Sequence, residues 1–413
     1  MNDYFFGYNM SANNEYLRLP KGFFDREEEW VLFKRHILST HAAVGSSIGA
    51  NLLELSPLGF RDTFVKASNN AGHKVFDFPD KAGRQLFLAC DSTPAVLRNY
   101  CNNNQQVKSA RIGFVAPLFR YRDGPTRHFS QIGYAAINEA LPSNAVDFSL
   151  LQLIGAMTSL CQKSNLTIQV FINDFNALRT MLSDGGISDQ EMPDVLHSLQ
   201  FSTLEQRANL LRKKISNPHV LSGLLDVLTV QRFGQSLYRD IHEMALAIKR
   251  YTGADVIIDT TNLHSVETIN GYAVRFLTPE GVHLGDGGQY NNFGQNFDSR
   301  VQTVRSVATG VEAISQNTPI PPLASSQNKI MVLNLGASDY FVTQALQHLG
   351  QKEFSVVYGG IPTNLAKAIR KVASDGYTHL TILGDAEETS SEISVKELSQ
   401  RTTQTMVIPS QKP

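Results

Sequence analysis

The residue types that usually carry chemistry are present in this chain without the spacings that announce a reaction. There is no Walker phosphate loop, no H-E-x-x-H helix and no C-x-x-C pair, which excludes P-loop ATP hydrolysis, zincin proteolysis and dithiol exchange. The three cysteines, Cys90, Cys101 and Cys161, are odd in number and lack metal-ligand spacing, as expected of a protein from a reducing compartment. Cys90 reads as a buried inert thiol. His36, His41, His73 and His128 are scattered and read as surface or hydrogen-bonded structural histidines. Two groups remain open. Arg120 ends an apolar run, where an arginine on its own reads as half of a surface ion pair. Asp91 and Thr93 precede Pro94, where on their own they read as the cap of a helix.

These residues must be positioned by elements whose pattern is legible. Residues 23 to 40 form an amphipathic pattern with Trp30, Phe33, Ile37 and Leu38 at helical spacing. LLELSPLGF and KVFDFPDKAGRQLFLACDST read as strands, with Lys81-Ala82-Gly83 turning a hairpin. A second hairpin follows in ARIGFVAPLFRYRDGPTRHFSQIGYAAIN, turning near Asp123-Gly124-Pro125. Neighbouring hairpins predict an antiparallel sheet with one face available to a ligand. LTIQVFIND is a further strand, and about 175 to 250 is helical, broken at Asp184-Gly185-Gly186, Pro193 and Pro218. Its leucines between 210 and 228 read as core. ADVIIDTT and GYAVRFLT bring strands back before the glycine-rich GDGGQYNNFG. Residues 317–328, rich in proline and small polar residues, are the expected linker. Residues 329–413 alternate strand and helix, as in a small α/β domain with mostly parallel pairing.

Composition narrows the classes. A hydrophobic share of 42% and a charged share of 18% predict folded cores rather than disorder. A formal charge of −1 argues against a strongly basic nucleic-acid binder. No apolar run approaches a membrane span, and the first residues lack the order of a signal peptide, so a cytoplasmic location is expected.

The order of local strings goes further. LRLPKGFFD (17 to 25), FLACDSTPAVLR (87 to 98), FRYRDGPTRHFSQIGY (119 to 134), GDGGQYNNFG (285 to 294) and SVATGVEAI (306 to 314) follow the order of a class II aminoacyl-tRNA synthetase. The chain most resembles histidyl-tRNA synthetase. The strings YGGIPTNLAKAIRKVASDG and THLTILGDAEETSSEISVKEL are similar to that family's anticodon-binding domain. The resemblance implies an α+β fold: a six-stranded antiparallel sheet flanked by helices over 1–316, with the helical insertion and an appended α/β domain. It also implies a homodimer formed near residues 30 to 66, with Pro57 at the motif 1 proline.

Class II activation joins an amino-acid carboxylate to the α-phosphate of ATP. It needs a cation bridging the two, acceptors for the substrate ammonium, and counter-charge for pyrophosphate. By resemblance, Arg120 is the bridging and catalytic arginine and Arg127 a further ATP contact. Asp91 stands where the family has Glu and would hold the ammonium with Thr93. Gln131, Tyr290 and His264 would line the amino-acid pocket, His264 aligning with the family's catalytic arginine. ATP with magnesium is the implied cofactor, with no tightly bound metal or organic group.

Departures from the family pattern are as informative. Arg122 replaces the adenine-binding Glu, and Ala135 lies where a glutamate is expected. Gln289 and Asn291 replace the Arg and Asp of G-G-R-Y-D. Ala313 replaces the arginine on the γ-phosphate, and Thr268 and Ile269 fall near two tyrosines. Each lost charge-assisted contact costs on the order of 3 kcal/mol, about a hundredfold in rate. The first expectation is therefore a paralog that binds an amino acid and adenylates it for an acceptor other than tRNA, or inefficiently for tRNA. The alternatives are a non-catalytic regulatory subunit, similar to that of ATP phosphoribosyltransferase and acting on a partner enzyme, and a divergent true histidine–tRNA ligase. Balanced acidic and basic residues in the tail give tRNA binding no electrostatic support. Neither DNA nor a membrane is an expected partner.

Overall fold

The computed structural model describes residues 18–65, 75–103, 108–121, 126–139, 145–230, 239–318, 328–352 and 354–409. Arg122, the Asp123-Gly124-Pro125 turn and most of the expected linker (319–327) lie outside the described residues. The chain divides into two compact units, Met1–Ile320 and Pro321–Pro413.

In the first unit the elements run α1 (Glu28–Ser47), β1 (Asn51–Glu54), β2 (Leu58–Phe60), α2 (Arg61–Val65), β3 (Asp77–Pro79), β4 (Gln85–Leu88), α3 (Ser92–Asn103), β5 (Ala110–Phe119) and β6 (His128–Ile137). Then follow α4 (Phe148–Lys163), β7 (Gln169–Asp174), α5 (Phe175–Asp184), α6 (Met192–Gln200), α7 (Leu204–Lys214) and α8 (Pro218–Leu225). A π-helical turn (Asp226–Val230) leads on to α9 (Arg239–Thr252), β8 (Asp255–Ile258), β9 (Tyr272–Leu277), β10 (His283–Gln289), α10 (Asn291–Phe297), β11 (Val304–Gly310) and α11 (Val311–Asn317).

Eight strands form the main sheet in the order β1-β5-β6-β11-β10-β9-β7-β8. The inner six, β5 to β7, pair antiparallel throughout, as the resemblance implies. The sheet is wider than expected because a parallel strand is added at each edge, β1 on β5 and β8 on β7. The expected hairpin across Lys81-Ala82-Gly83 is present as β3–β4, in a separate three-stranded sheet with β2.

Alternation in the strands separates two cores. On one face Ile132, Tyr134, Ala136, Val274 and Val307 pack under α1, α4 and the helical insertion. On the other, Phe114, Ala116, Leu118, Ala135 and Ala308 pack under α3 and α10. Leu211, Leu224 and Leu228 of the insertion are fully buried, so they serve as core. Helix α1 begins at Glu28, five residues later than the pattern predicts. Phe23 instead turns back, its N–H donating to the Pro20 carbonyl, and its ring stacks on Phe119 and His128. Long-range aromatic packing overrides local periodicity there.

His41, on the buried face of α1, points into the sheet. Its Nε2 donates to the Gly133 carbonyl at 3.0 Å, and its ring stacks on Tyr134 at 4.7 Å. Burial lowers its pKa below 6.5, partly opposed by the bond to Gly133. The folded chain thus resists a proton that the unfolded chain accepts, so stability is full above pH 6.5 and falls as pH drops through the lowered value. Urea unfolding at pH 7.5 and 5.5 should show a larger acid-induced loss in the wild type than in His41→Gln. An equal loss in both would show that His41 is not responsible.

The second unit comprises β12 (Lys329–Asn334), α12 (Asp339–Gly350), β13 (Ser355–Gly360), α13 (Leu365–Ser374), β14 (His379–Leu383), α14 (Asp385–Ser390), β15 (Glu392–Glu397) and β16 (Thr403–Val407). β13, β12 and β14 are parallel, and the antiparallel pair β15–β16 extends the sheet beyond β14. Among the described residues, no helix is long and apolar enough to cross a membrane.

Candidate amino-acid site

The alternation that buries Phe114, Ala116 and Leu118 beneath α3 carries one step past β5 to Arg120. Its backbone N–H donates to the Arg127 carbonyl at 2.9 Å, closing the β5–β6 pair at that end. Its Nε donates to the Cys90 carbonyl at 2.9 Å, and its guanidinium lies 5.1 Å over the Phe129 ring. Anchoring to residue 90 sets the cation beside the start of α3, where Asp91 is exposed.

Asp91 caps α3: its Oδ1 accepts from the Thr93 N–H at 2.9 Å, and Thr93 is the second residue of the helix. The capping reading is observed, with the helix starting at Ser92 rather than Pro94. Ser92, buried, donates its hydroxyl to Gln131 Oε1 at 2.7 Å. Gln131 stands on β6 between Ala116 and Gly310 in register, so it shares the Arg120 face of the sheet.

Tyr290 follows β10 as the cap residue of α10, half-buried against both cores, with its ring edge-on to Phe293. Burial raises its hydroxyl pKa, and the negative charges of Asp286 and Asp91 raise it further.

Asp286 went unrecognised in the sequence, although it lies within the quoted string GDGGQYNNFG. A signal existed: a charged residue bracketed by glycines in a strand whose neighbours are all buried. Burial works to raise its pKa, yet the net direction is downward. The His264 hydrogen bond and the nearby His264, His283 and Arg120 charges favour the carboxylate. His264 Nε2 stands 3.5 Å from Asp286 and His283 Nε2 3.8 Å away. In register, Asp286 lies between Arg275 on β9 and Ala308 on β11. A narrow cavity lined by Asn173, Asp259, Asn262, His264, Arg275 and Asp286 opens beside it.

Other sequence-predicted groups serve different contacts. Arg127 donates its backbone N–H to the Gly22 carbonyl and stacks its guanidinium 4.5 Å over Tyr121. Thr268 bonds back to the Ser265 carbonyl, and Ile269 is in the core, so neither position offers a phenol. Gln289 is buried, donating to Asp147 Oδ2 and accepting from the Tyr272 N–H. Glu312 accepts from the Ser130 N–H, while Ala313 packs as a methyl against the main core. Gly45-Ser46-Ser47-Ile48-Gly49 has the spacing of a serine-hydrolase elbow. It ends α1 instead of joining strand to helix, and the Ser47 hydroxyl bonds the Val44 carbonyl.

Comparison with known proteins bears on the family and the fold. A family model described as histidyl-tRNA synthetase matches residues 22–313. The histidine–tRNA ligase of Sulfurisphaera tokodaii is 24% identical over 362 residues, covering 81% of this chain and 83% of its own. That of Metallosphaera sedula is 22% identical over 366 residues, covering 82% and 84%. Among solved structures, a Bacillus halodurans protein described as an ATP phosphoribosyltransferase regulatory subunit/histidyl-tRNA synthetase superposes with TM-score 0.72 at 17% identity, covering 88% of this chain and 97% of that one. Apo histidyl-tRNA synthetase of S. aureus gives TM-score 0.70 at 16% identity, covering 94% and 97%. These structures share the fold, and the family model spans well over half of the chain. The protein belongs to the histidyl-tRNA synthetase family of class II synthetase-like proteins.

Proposed function

We propose that the protein binds a free amino acid as a repurposed member of this family. The ligand carboxylate sits on Arg120, its ammonium lies near Asp91 and Thr93, and Gln131 and Tyr290 form the floor. One observation carries the reading: the bond from Arg120 Nε to the Cys90 carbonyl sets a guanidinium beside the exposed carboxylate of Asp91. A cation held at one residue and a carboxylate on the next residue in sequence offer the two charges that a zwitterion needs.

The residues present fit an amino acid better than ATP. Arg120 could face an α-phosphate, but Ala313 supplies a methyl where the γ-phosphate needs a cation. No adenylation step is assigned on this geometry. Magnesium, tRNA and a second copy of the chain remain implied by the family alone.

Arg120→Ala should weaken amino-acid binding about a hundredfold, the worth of a charge-assisted bidentate contact. Calorimetry with the twenty amino acids, paired with ATP–pyrophosphate exchange, tests this. Binding without exchange would favour a regulatory protein; exchange with one amino acid would make the chain a ligase. Ala313, a methyl where the family places the γ-phosphate arginine, favours the regulatory outcome.

A further inference from the structure

Arg275 stands on β9 between Phe171 of β7 and Asp286 of β10 in register, so the three share one face of the main sheet. It lines the narrow cavity beside Asp286, together with Asn173, Asp259, Asn262 and His264. Its Nε is buried with no hydrogen-bond partner, and among the described residues its guanidinium joins no ion pair. Asp286, although its cross-strand neighbour, is engaged elsewhere. A buried donor left unpaired is costly, and more so when the group is charged.

The acceptors of the lining already have donors. Asp286 is held by the hydrogen bond and charge of His264, with His283 also near. Asp259 Oδ1 accepts from the backbone N–H groups of Thr261 and Asn262 and from the Thr261 hydroxyl. The charges of Asp259 and Arg207 also attract each other. Asn262 Oδ1 accepts from the His264 N–H at 3.0 Å, and Asn173 Oδ1 from the Asp174 N–H at 2.8 Å. Each carboxylate of the lining therefore has partners of its own, and Arg275 is the cation left without one. What the cavity leaves unused is a charged donor, which calls for an acceptor from outside the chain. A guanidinium holds a carboxylate more strongly than a neutral oxygen.

We propose that this cavity is a carboxylate subsite in which Arg275 receives an anionic group of a small-molecule ligand. The space is that of about one water-sized group, so a single carboxylate head enters and the rest of the ligand stays outside. Arg120 is not part of the lining, and the subsite goes beyond the amino-acid reading without depending on it.

Calorimetric titration of the full chain with succinate and glutarate, beside their uncharged diamides succinamide and glutaramide, tests it. At least one of the two acids should bind, with its diamide at least about tenfold weaker. Arg275→Met, which keeps the stem and removes the donors, should weaken the acid about tenfold or more, whereas Arg120→Ala should leave its affinity unchanged. Should Arg275→Met fail to fold, the preference for acid over diamide in Arg120→Ala decides, because the Arg120 guanidinium is then absent. No binding by either acid, equal affinity for acid and diamide, or undiminished binding in Arg275→Met would overturn the subsite. Loss of acid binding in Arg120→Ala alone would place the carboxylate on Arg120, overturning the subsite while leaving the amino-acid reading standing. That reading fails on a different result, the absence of binding by any of the twenty amino acids.

Discussion

Asp147→Ala is expected to destabilise the first unit by about 3–5 kcal/mol, the cost of leaving a buried charge without its partner. Asp147 and Arg305 are each 1% exposed, with Arg305 Nε donating to Asp147 Oδ2 at 2.8 Å. The same carboxylate accepts from Gln289 Nε2 and, through Oδ1, from the Leu150 N–H, capping α4. Removing it deprives a buried guanidinium of its closest carboxylate, leaving the bond to the Glu139 carbonyl, frees the Gln289 amide and uncaps a helix. Urea unfolding should show a much lower midpoint at unchanged slope. Asp147→Leu combined with Arg305→Met should recover much of the loss, since both charges then leave together. A single-variant loss below about 1 kcal/mol would mean that water reaches Arg305.

Gly133→Val is expected to have a comparable effect by another route. A Cβ at residue 133 would stand 2.2 Å from the Val307 carbonyl oxygen and 2.6 Å from the Phe114 ring. Neither can yield easily: the first belongs to the β6–β11 ladder and the second is fully buried. Overpacking of this kind costs about 1–3 kcal/mol where neighbours can shift, and more against fixed backbone. The variant should melt many degrees below the wild type or fail to accumulate. Gly350→Ala, which meets nothing within 4 Å, serves as the neutral control. A valine variant melting within two or three degrees of the wild type, about the shift that 1 kcal/mol brings in a domain of this size, would contradict the close approach of β6 to β11.

The sequence showed these features unevenly, for physical reasons. The hairpin at Lys81-Ala82-Gly83 was legible because its turn and both strands lie within a dozen residues. The edge strands were not, since Asn51 pairs with Ile112 and Gln169 with Asp255, and nothing local encodes such parallel partners. In the tail, the alternation in Glu392–Glu397 signals the antiparallel strand β15, but its short polar run reads easily as loop. At the site, Arg120, Asp91 and Gln131 could be located because their strings keep the family's order. Asp286 could not, because resemblance points to what a family shares, and this carboxylate was visible only through its glycine neighbours. Gln289 shows the opposite case: read as a departure in the pocket, it turns to the other side of β10 and completes the Asp147–Arg305 network.

The most direct measurement is equilibrium binding of the twenty amino acids to the wild-type chain and to Arg120→Ala, with Arg127→Ala alongside. Arg127 stacks on Tyr121 and is not required for the carboxylate contact. Binding of an amino acid that falls about a hundredfold in Arg120→Ala and persists in Arg127→Ala is the predicted result. Undiminished binding without the Arg120 guanidinium, or no binding by any amino acid to the wild type, would contradict the site.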